Sequence, residues 1–189
     1  VENDKESDPT LKICTIHQAV IVSASGKILP KVQKLLEGKS RDEIFECPFV
    51  YGQSIYYVPD FKALKHLPLN RDFQYQLLQG EELQVLNGIA GFENSLAFDE
   101  HGSTPTAIVF YAAKDDEIVG LAGASIESEK LWEIGVDVRP EFRNCGLATI
   151  LVSHLAQLIL EKDVLPFYCA STTNVGSQAV AHRSGFIPC

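Results

Sequence analysis

Arg143-Asn144-Cys145-Gly146-Leu147-Ala148 is the stretch on which the reading of this chain turns. Leu131-Trp132-Glu133-Ile134-Gly135-Val136-Asp137-Val138 precedes it and predicts a strand, with Arg139-Pro140-Glu141-Phe142 as the exit. Ile150, Leu151, Leu155, Leu158 and Ile159 follow along one side of a helix predicted over 148–161. A strand that runs through a glycine-bearing turn into a helix suits an anion. The glycine lets the backbone approach closely, and the first helical turn offers free N–H groups and the positive end of the dipole. Arg143 adds a fixed charge at the lip.

Outward from this stretch the pattern stays regular. Residues 106–113 and 118–125 predict two strands joined by a hairpin turn at Lys114-Asp115-Asp116-Glu117. The small residues Gly120, Ala122 and Gly123 in the second allow close packing. With Leu131–Val138 they make three antiparallel strands. Residues 166–170 predict a further strand after the helix, which implies a parallel crossover. Asn174 is placed to cap a helix over 175–184, Gly185 to end it, and Phe186 to begin a last strand.

The totals exclude several function classes. The chain has 189 residues, 46% hydrophobic and 22% charged, as is ordinary for a soluble globular domain. A net charge of −9 argues against a nucleic-acid partner and gives no reason to expect an anionic membrane surface. Five cysteines (Cys14, Cys47, Cys145, Cys169 and Cys189) form no CxxC pair. A disulfide framework or zinc site is therefore not expected, and a cytoplasmic location is. No apolar run reaches the length of a membrane span. Methionine is absent even at position 1, and the chain stops just after Phe186-Ile187-Pro188, so it reads as a fragment whose last strand is cut short.

The first hundred residues are less regular. Residues 1–12 read as a frayed tail, Ala19-Val20-Ile21-Val22 as a strand, and 30–37 as a helix stopped by Gly38. Ser40-Arg41-Asp42-Glu43 has the form of a capping box. Residues 48–52 and 54–58 predict strand with a break at Gly52, and 61–66 a helical turn or two. Residues 73–78 are ambiguous between strand and helix, and 81–86 look helical.

Four features in order after residue 105 resemble the GNAT superfamily of acyl-CoA N-acyltransferases. They are the hairpin, the Trp132-Glu133-Ile134-Gly135-Val136 strand, the Arg143-x-x-Gly146-Leu147-Ala148 turn with its helix, and Asn174-x-x-Ser177 leading to Gly185-Phe186. The turn fits the family's pyrophosphate loop, Gln/Arg-x-x-Gly-x-Gly/Ala. The resemblance implies an α/β fold of α+β type, with a mixed, mostly antiparallel sheet and flanking helices. The sheet would splay between the family's fourth and fifth strands, here Leu131–Val138 and 167–170. The family adds another strand hairpinned with the one at Phe186. Without it the sheet would be short of an edge and the acceptor side open. Residues 105–189 would be the acetyl-CoA-binding core, and 1–104 an N-terminal extension plus the first core elements.

The same resemblance implies a co-substrate, acetyl-CoA, and a set of contacts. The N–H groups of Asn144, Cys145, Gly146, Leu147 and Ala148 would hold the CoA diphosphate, with Arg143 and Thr149 beside them. The backbone at Val136, Asp137 and Val138 would bind the pantetheine arm as an added strand. Asn174 would lie near the thioester, and Ser177 would also contact CoA. The implied reaction is direct attack of an amine on the thioester in a ternary complex. Glu133 is the candidate base, against a plain surface or structural role, with Asp137 a lesser alternative. The family's tyrosine, four residues before the Gly-Phe pair, is Ala181 here. Tyr168, Cys169, Ser171, a water or an unprotonated thiolate are open alternatives, and His182 reads as structural. Cys145 reads as incidental, because the transfer needs no covalent intermediate. Asp115-Asp116-Glu117 reads as a solvated turn, and no metal is expected. Phe49, Tyr51, Tyr56, Tyr57 and Phe61 are core aromatics or, for some, an acceptor wall. The competing readings are a non-catalytic acyl-CoA sensor or partner module, and transfer of a longer acyl chain. Partners are acetyl-CoA and an amine acceptor, with an oligomer possible and the acceptor left open.

Overall fold

A computed structural model describes residues 10–16 and 19–189. The prediction of a frayed tail reaches into residues 1–9, which lie outside the described residues, but the chain is already a strand at Leu11. Two compact units divide between Gln53 and Ser54.

In the first unit, β1 (Leu11–Ile16) and β2 (Ala19–Ala24) pair antiparallel, followed by α1 (Leu29–Leu36) and α2 (Arg41–Phe45). Leu11, Ile13, Val20 and Val22 share a small core with Val32, Leu36, Ile44 and Cys47. The capping box is real: Ser40 Oγ accepts from the Glu43 N–H, and Glu43 takes the Ser40 N–H at 2.8 Å. Residues 48–52 are not a strand.

The second unit, Ser54–Pro188, is built on a seven-stranded sheet. Its elements are β3 (Ser54–Pro59), β4 (Gln74–Gln79), a 3₁₀ segment Gly80–Leu86, β5 (Thr106–Lys114), β6 (Glu117–Ser128), β7 (Leu131–Val138), α3 (Leu147–Leu160), β8 (Leu165–Ser171), α4 (Val175–Arg183) and β9 (Phe186–Pro188). The spatial order is β4-β5-β6-β7-β8-β3-β9. Every pairing is antiparallel except β7 with β8, which α3 joins by a crossover. The β5–β6 turn has positive φ at Asp115 (51°) and Asp116 (65°), the mirror-image geometry that matches strand twist.

Alternation along the strands separates two faces. Ile108, Phe110, Ala122, Ala124 and Ile134 face α3, whose Leu151, Val152, Leu155, Ala156 and Ile159 are fully buried. Each such aliphatic side chain contributes roughly 1.5–3 kcal/mol by leaving water. On the other face Val109 and Leu121 pack with Leu83, Leu86, Phe92 and Leu96.

The edge expected to be bare is filled from the opposite end of the sequence. β3 lies between β8 and β9, antiparallel to both, with Tyr57 opposite Tyr168 and Pro188. β3 thus occupies the place beside Phe186–Pro188. The link from β3 to β4 then runs across α3 as an irregular strap. Ser153 Oγ donates to the Lys65 carbonyl at 2.6 Å, and His154 Nε2 lies 2.6 Å from that of Leu67. Of the helical turn or two predicted over 61–66 a single turn forms, with the Ala63 and Leu64 N–H groups on the Asp60 carbonyl at 2.9 and 2.8 Å, and the chain beyond it is irregular.

Candidate functional site

The site starts where two strands part. β7 and β8 pair from Leu131↔Leu165 to Ile134↔Tyr168 and no further. Beyond that point β8 pairs only with β3, while Gly135–Val138 pair only with β6. The gap opens as a cavity of about 490 Å³. Glu133, Gly135 and Val136 form one lip, Cys169, Ala170 and Ser171 the other, and Tyr168, Asn174 and Ser177 close one side. A second hollow of about 460 Å³ lies at Ala97–Asp99 and Ser103–Pro105. The Asp99 carboxylate there already accepts the N–H groups of His101 and Ser103.

Glu133 sits on the cavity wall with its carboxyl half-buried. Burial, and then the like charge of Glu127, hold it above the ordinary carboxylate range. A carboxyl whose proton affinity is raised in a cleft is a better base than an ordinary carboxylate. Asp137 shares that strand face but is fully engaged. It accepts from the Asn94 N–H at 2.9 Å and Nδ2 at 2.6 Å, and from the Ser95 N–H at 2.9 Å and Oγ at 2.8 Å. Its carboxylate fastens the 92–96 loop over the sheet, which removes it as a base. Gly123 and Gly135 make room for that loop. A Cβ on Gly135 would stand 1.8 Å from the Asn94 carbonyl oxygen, and one on Gly123 1.9 Å from that of Ser95.

On the opposite face the Tyr168 and Ser177 hydroxyls are 2.6 Å apart. Burial pushes the phenol up, so it stays protonated. Asn174 caps α4 by accepting the Ser177 N–H at 3.0 Å, fixing Ser177 beside Tyr168. Burial also raises the Cys169 thiol, which keeps it a thiol. Ala181 is buried with no exposure, and no hydroxyl reaches the cavity from there. His182 meets Tyr57 edge-on at 5.3 Å and is not among the cavity's lining residues.

The Arg143–Ala148 loop forms a cradle of backbone N–H groups. Asn144 (φ 62°) and Gly146 (φ 84°) are both left-handed, the alternation that makes an anion-binding concavity. The first intrahelical bond of α3 is Ile150 N–H to the Gly146 carbonyl at 3.1 Å. The N–H groups of Leu147, Ala148 and Thr149 therefore have no acceptor in the helix. No acidic residue occupies its first turn. Residues 143–146 are exposed, whereas Leu147 and Thr149 are buried and anchor the helix start. Arg143 Nε donates to the Val138 carbonyl at 2.9 Å, so it ties the loop to the end of β7. Cys145 Sγ donates to the Phe142 carbonyl at 3.0 Å.

Residues 71–186 match the sequence pattern of the acetyltransferase (GNAT) family. The chain belongs to that family. Among solved structures, this GNAT chain resembles a GNAT-family protein from Novosphingobium aromaticivorans (16% identity, TM-score 0.57, covering 72% of this chain and 59% of that one). It also resembles a GCN5-related N-acetyltransferase-like protein from Streptococcus suis (16% identity, TM-score 0.58, covering 95% and 79%). A GNAT-family acetyltransferase from Colwellia psychrerythraea is similar at 14% identity and TM-score 0.54, covering 74% and 53%. The GNAT chain thus spans under two thirds of the Novosphingobium and Colwellia proteins. At these identities the likeness is one of fold. No curated protein matches the sequence.

Three lining residues of this GNAT cleft escape sequence reasoning: Asn94, Ser125 and Glu127. Glycines at corresponding positions of adjacent strands, Gly123 opposite Gly135, are the one signal that a loop crosses there. Among the described residues no helix is long and apolar enough to cross a membrane.

Proposed function

We propose that this protein is an N-acetyltransferase that moves an acetyl group from acetyl-CoA to an amine by direct attack in a ternary complex. The observation that carries the reading is the parting of β7 from β8 beyond Ile134 and Tyr168, with Glu133 and the Tyr168–Ser177 pair in the same cavity. The diphosphate lies in the cradle of N–H groups from Asn144 to Ala148, with Thr149 at the next free N–H. Pantetheine enters along Val136, Asp137 and Val138 and points the thioester toward Asn174 and Ser177.

An amine arrives protonated at neutral pH and is not a nucleophile in that form. Glu133 takes that proton on the acceptor face, directly or through a water. The amine nitrogen then forms a bond to the thioester carbon, the C–S bond breaks, the sulfur leaves carrying the electron pair, and the extra proton on the nitrogen passes to that thiolate or to water. Tyr168, protonated and backed by Ser177, donates a hydrogen bond to that sulfur. Holding both substrates in line supplies much of the rate.

Thiol release from acetyl-CoA with a panel of amines, using the full chain, tests the reading. Amine-dependent release is expected. CoA binding by calorimetry without amine-dependent release favours a non-catalytic acyl-CoA-binding module instead.

A further inference from the structure

The cavity is more acidic than proton removal requires. Of its lining residues only Glu133 and Glu127 carry charge, and among the described residues neither makes an ion pair. Glu127 is brought there by a break in the ladder. Ile126 pairs with Trp132 and Ser128 with Leu131, so Glu127 is the extra residue of a bulge. A bulge re-aims the side chain it carries.

The next two strands continue the row with aromatic rings. Phe167 on β8 is the register partner of Glu133, and Tyr56 of β3 stacks on it with centroids 5.8 Å apart and planes at 24°. Tyr56 is 48% exposed. Neighbouring strands lie about 5 Å apart. Two carboxylates and then two rings therefore cross four successive strands, β6, β7, β8 and β3, the carboxylates lining the cavity and the rings lying beyond it, with Phe167 buried. Carboxylates and ring faces both attract ammonium groups. Two carboxylates left facing one cavity repel each other, and a ligand with a single positive charge relieves only one of them.

We infer that Glu127 is a specificity-determining residue that holds a second ammonium group of the acceptor, so that the acceptor is a diamine or longer polyamine rather than a monoamine. The assignment of Glu133 to the reacting amine rests on the transfer reading above. Glu127 then takes the end that does not react, and the hydrocarbon between the nitrogens spans from β7 to β6.

Binding of 1,4-diaminobutane and of 1-aminobutane to the full chain, saturated with CoA, separates the two readings by calorimetry. The diamine should bind at least about fivefold tighter than the monoamine, the scale of one partly screened ion pair. Glu127→Gln should remove most of that gap. The bulge is exposed, so a thermal melt of this variant should match the parent. Equal affinity for the two amines, no binding of either, or a gap unchanged in Glu127→Gln overturns the inference. Thiol release in the same samples reads the transfer reaction separately. Selective diamine binding without release keeps Glu127 as the selector while removing the enzymatic reading.

Discussion

Ser95 gives both its backbone N–H, at 2.9 Å, and its hydroxyl, at 2.8 Å, to the carboxylate of Asp137, 42 positions further along the chain. Asn94 adds two more donors to the same group. One side chain therefore holds a whole loop against the sheet beside the cavity. Asp137→Ala should lower unfolding free energy by about 2–3 kcal/mol, because charge-assisted hydrogen bonds are lost and their donors left without a partner. Urea denaturation measures this. A change under half a kcal/mol would remove the fastening role.

Two glycines should lose stability by different amounts and for different reasons. Gly135→Ala puts a methyl group 1.8 Å from the Asn94 carbonyl oxygen, so the loop must lift. A stability loss of about 2–4 kcal/mol is expected. Gly146 faces open space, and its demand is only for φ 84°. Gly146→Ala should cost about 1 kcal/mol. Gly146→Glu should instead abolish CoA binding in calorimetry by blocking backbone approach and adding negative charge. Unchanged CoA affinity in Gly146→Glu would defeat the phosphate assignment.

Glu133 sets a pH dependence. Burial first, and Glu127 second, raise its folded-state pKa, so the proton is held more tightly in the folded protein than in the unfolded chain. The basic form is lost as pH falls through that raised value, and the acid limb of kcat/KM should lie above the ordinary carboxylate range. Glu133→Gln should lower kcat by about 10²–10⁴ and erase that limb. Stability runs the other way. The protonated carboxyl favours the folded state fully below the unfolded pKa, and that contribution fades as pH rises through the folded one. Melts above the raised value should therefore find Glu133→Gln at least as stable as the parent. An unmoved acid limb would show that Glu133 is not the base.

Tyr168→Phe tests the leaving-group side. It removes one hydroxyl and leaves Ser177 Oγ without its 2.6 Å partner, at a cost of about 1 kcal/mol. Acetyl-CoA affinity should hold while kcat falls by about tenfold, one hydrogen bond's worth in the transition state. Parallel measurement of kcat and acetyl-CoA dissociation checks this, and equal kcat in the two proteins would exclude the phenol.

The C-terminal half is legible because its signals are local. Alternation, the two-aspartate turn, the glycine before α3 and the Asn174 cap each act within a few residues. β6 runs on to Ser128, past the end predicted at residue 125, because pairing with β7 outweighs the polarity of exposed positions. The acceptor side is illegible for the opposite reason. Glu127 reaches the cavity through a bulge that only pairing creates, and Asn94 arrives on a loop whose anchor is Asp137. Residues 54–58 read correctly as a strand, but nothing in their composition says that their partners are Tyr168 and Ile187.

That pairing constrains the order of biosynthesis. Ser54–Pro59 leaves the ribosome more than a hundred residues before either strand it will join. Until Leu165–Ser171 emerges, a β-rich segment with two tyrosines must wait without a ladder, and the side that Phe186–Pro188 joins stays open longer still. Loops this long close slowly relative to local contacts. The hairpins and α3 can assemble first, with β3 docking as the last seam of the sheet. During that interval the nascent chain displays a strand and a vacant slot of matching shape, the condition under which two copies exchange strands or require a chaperone.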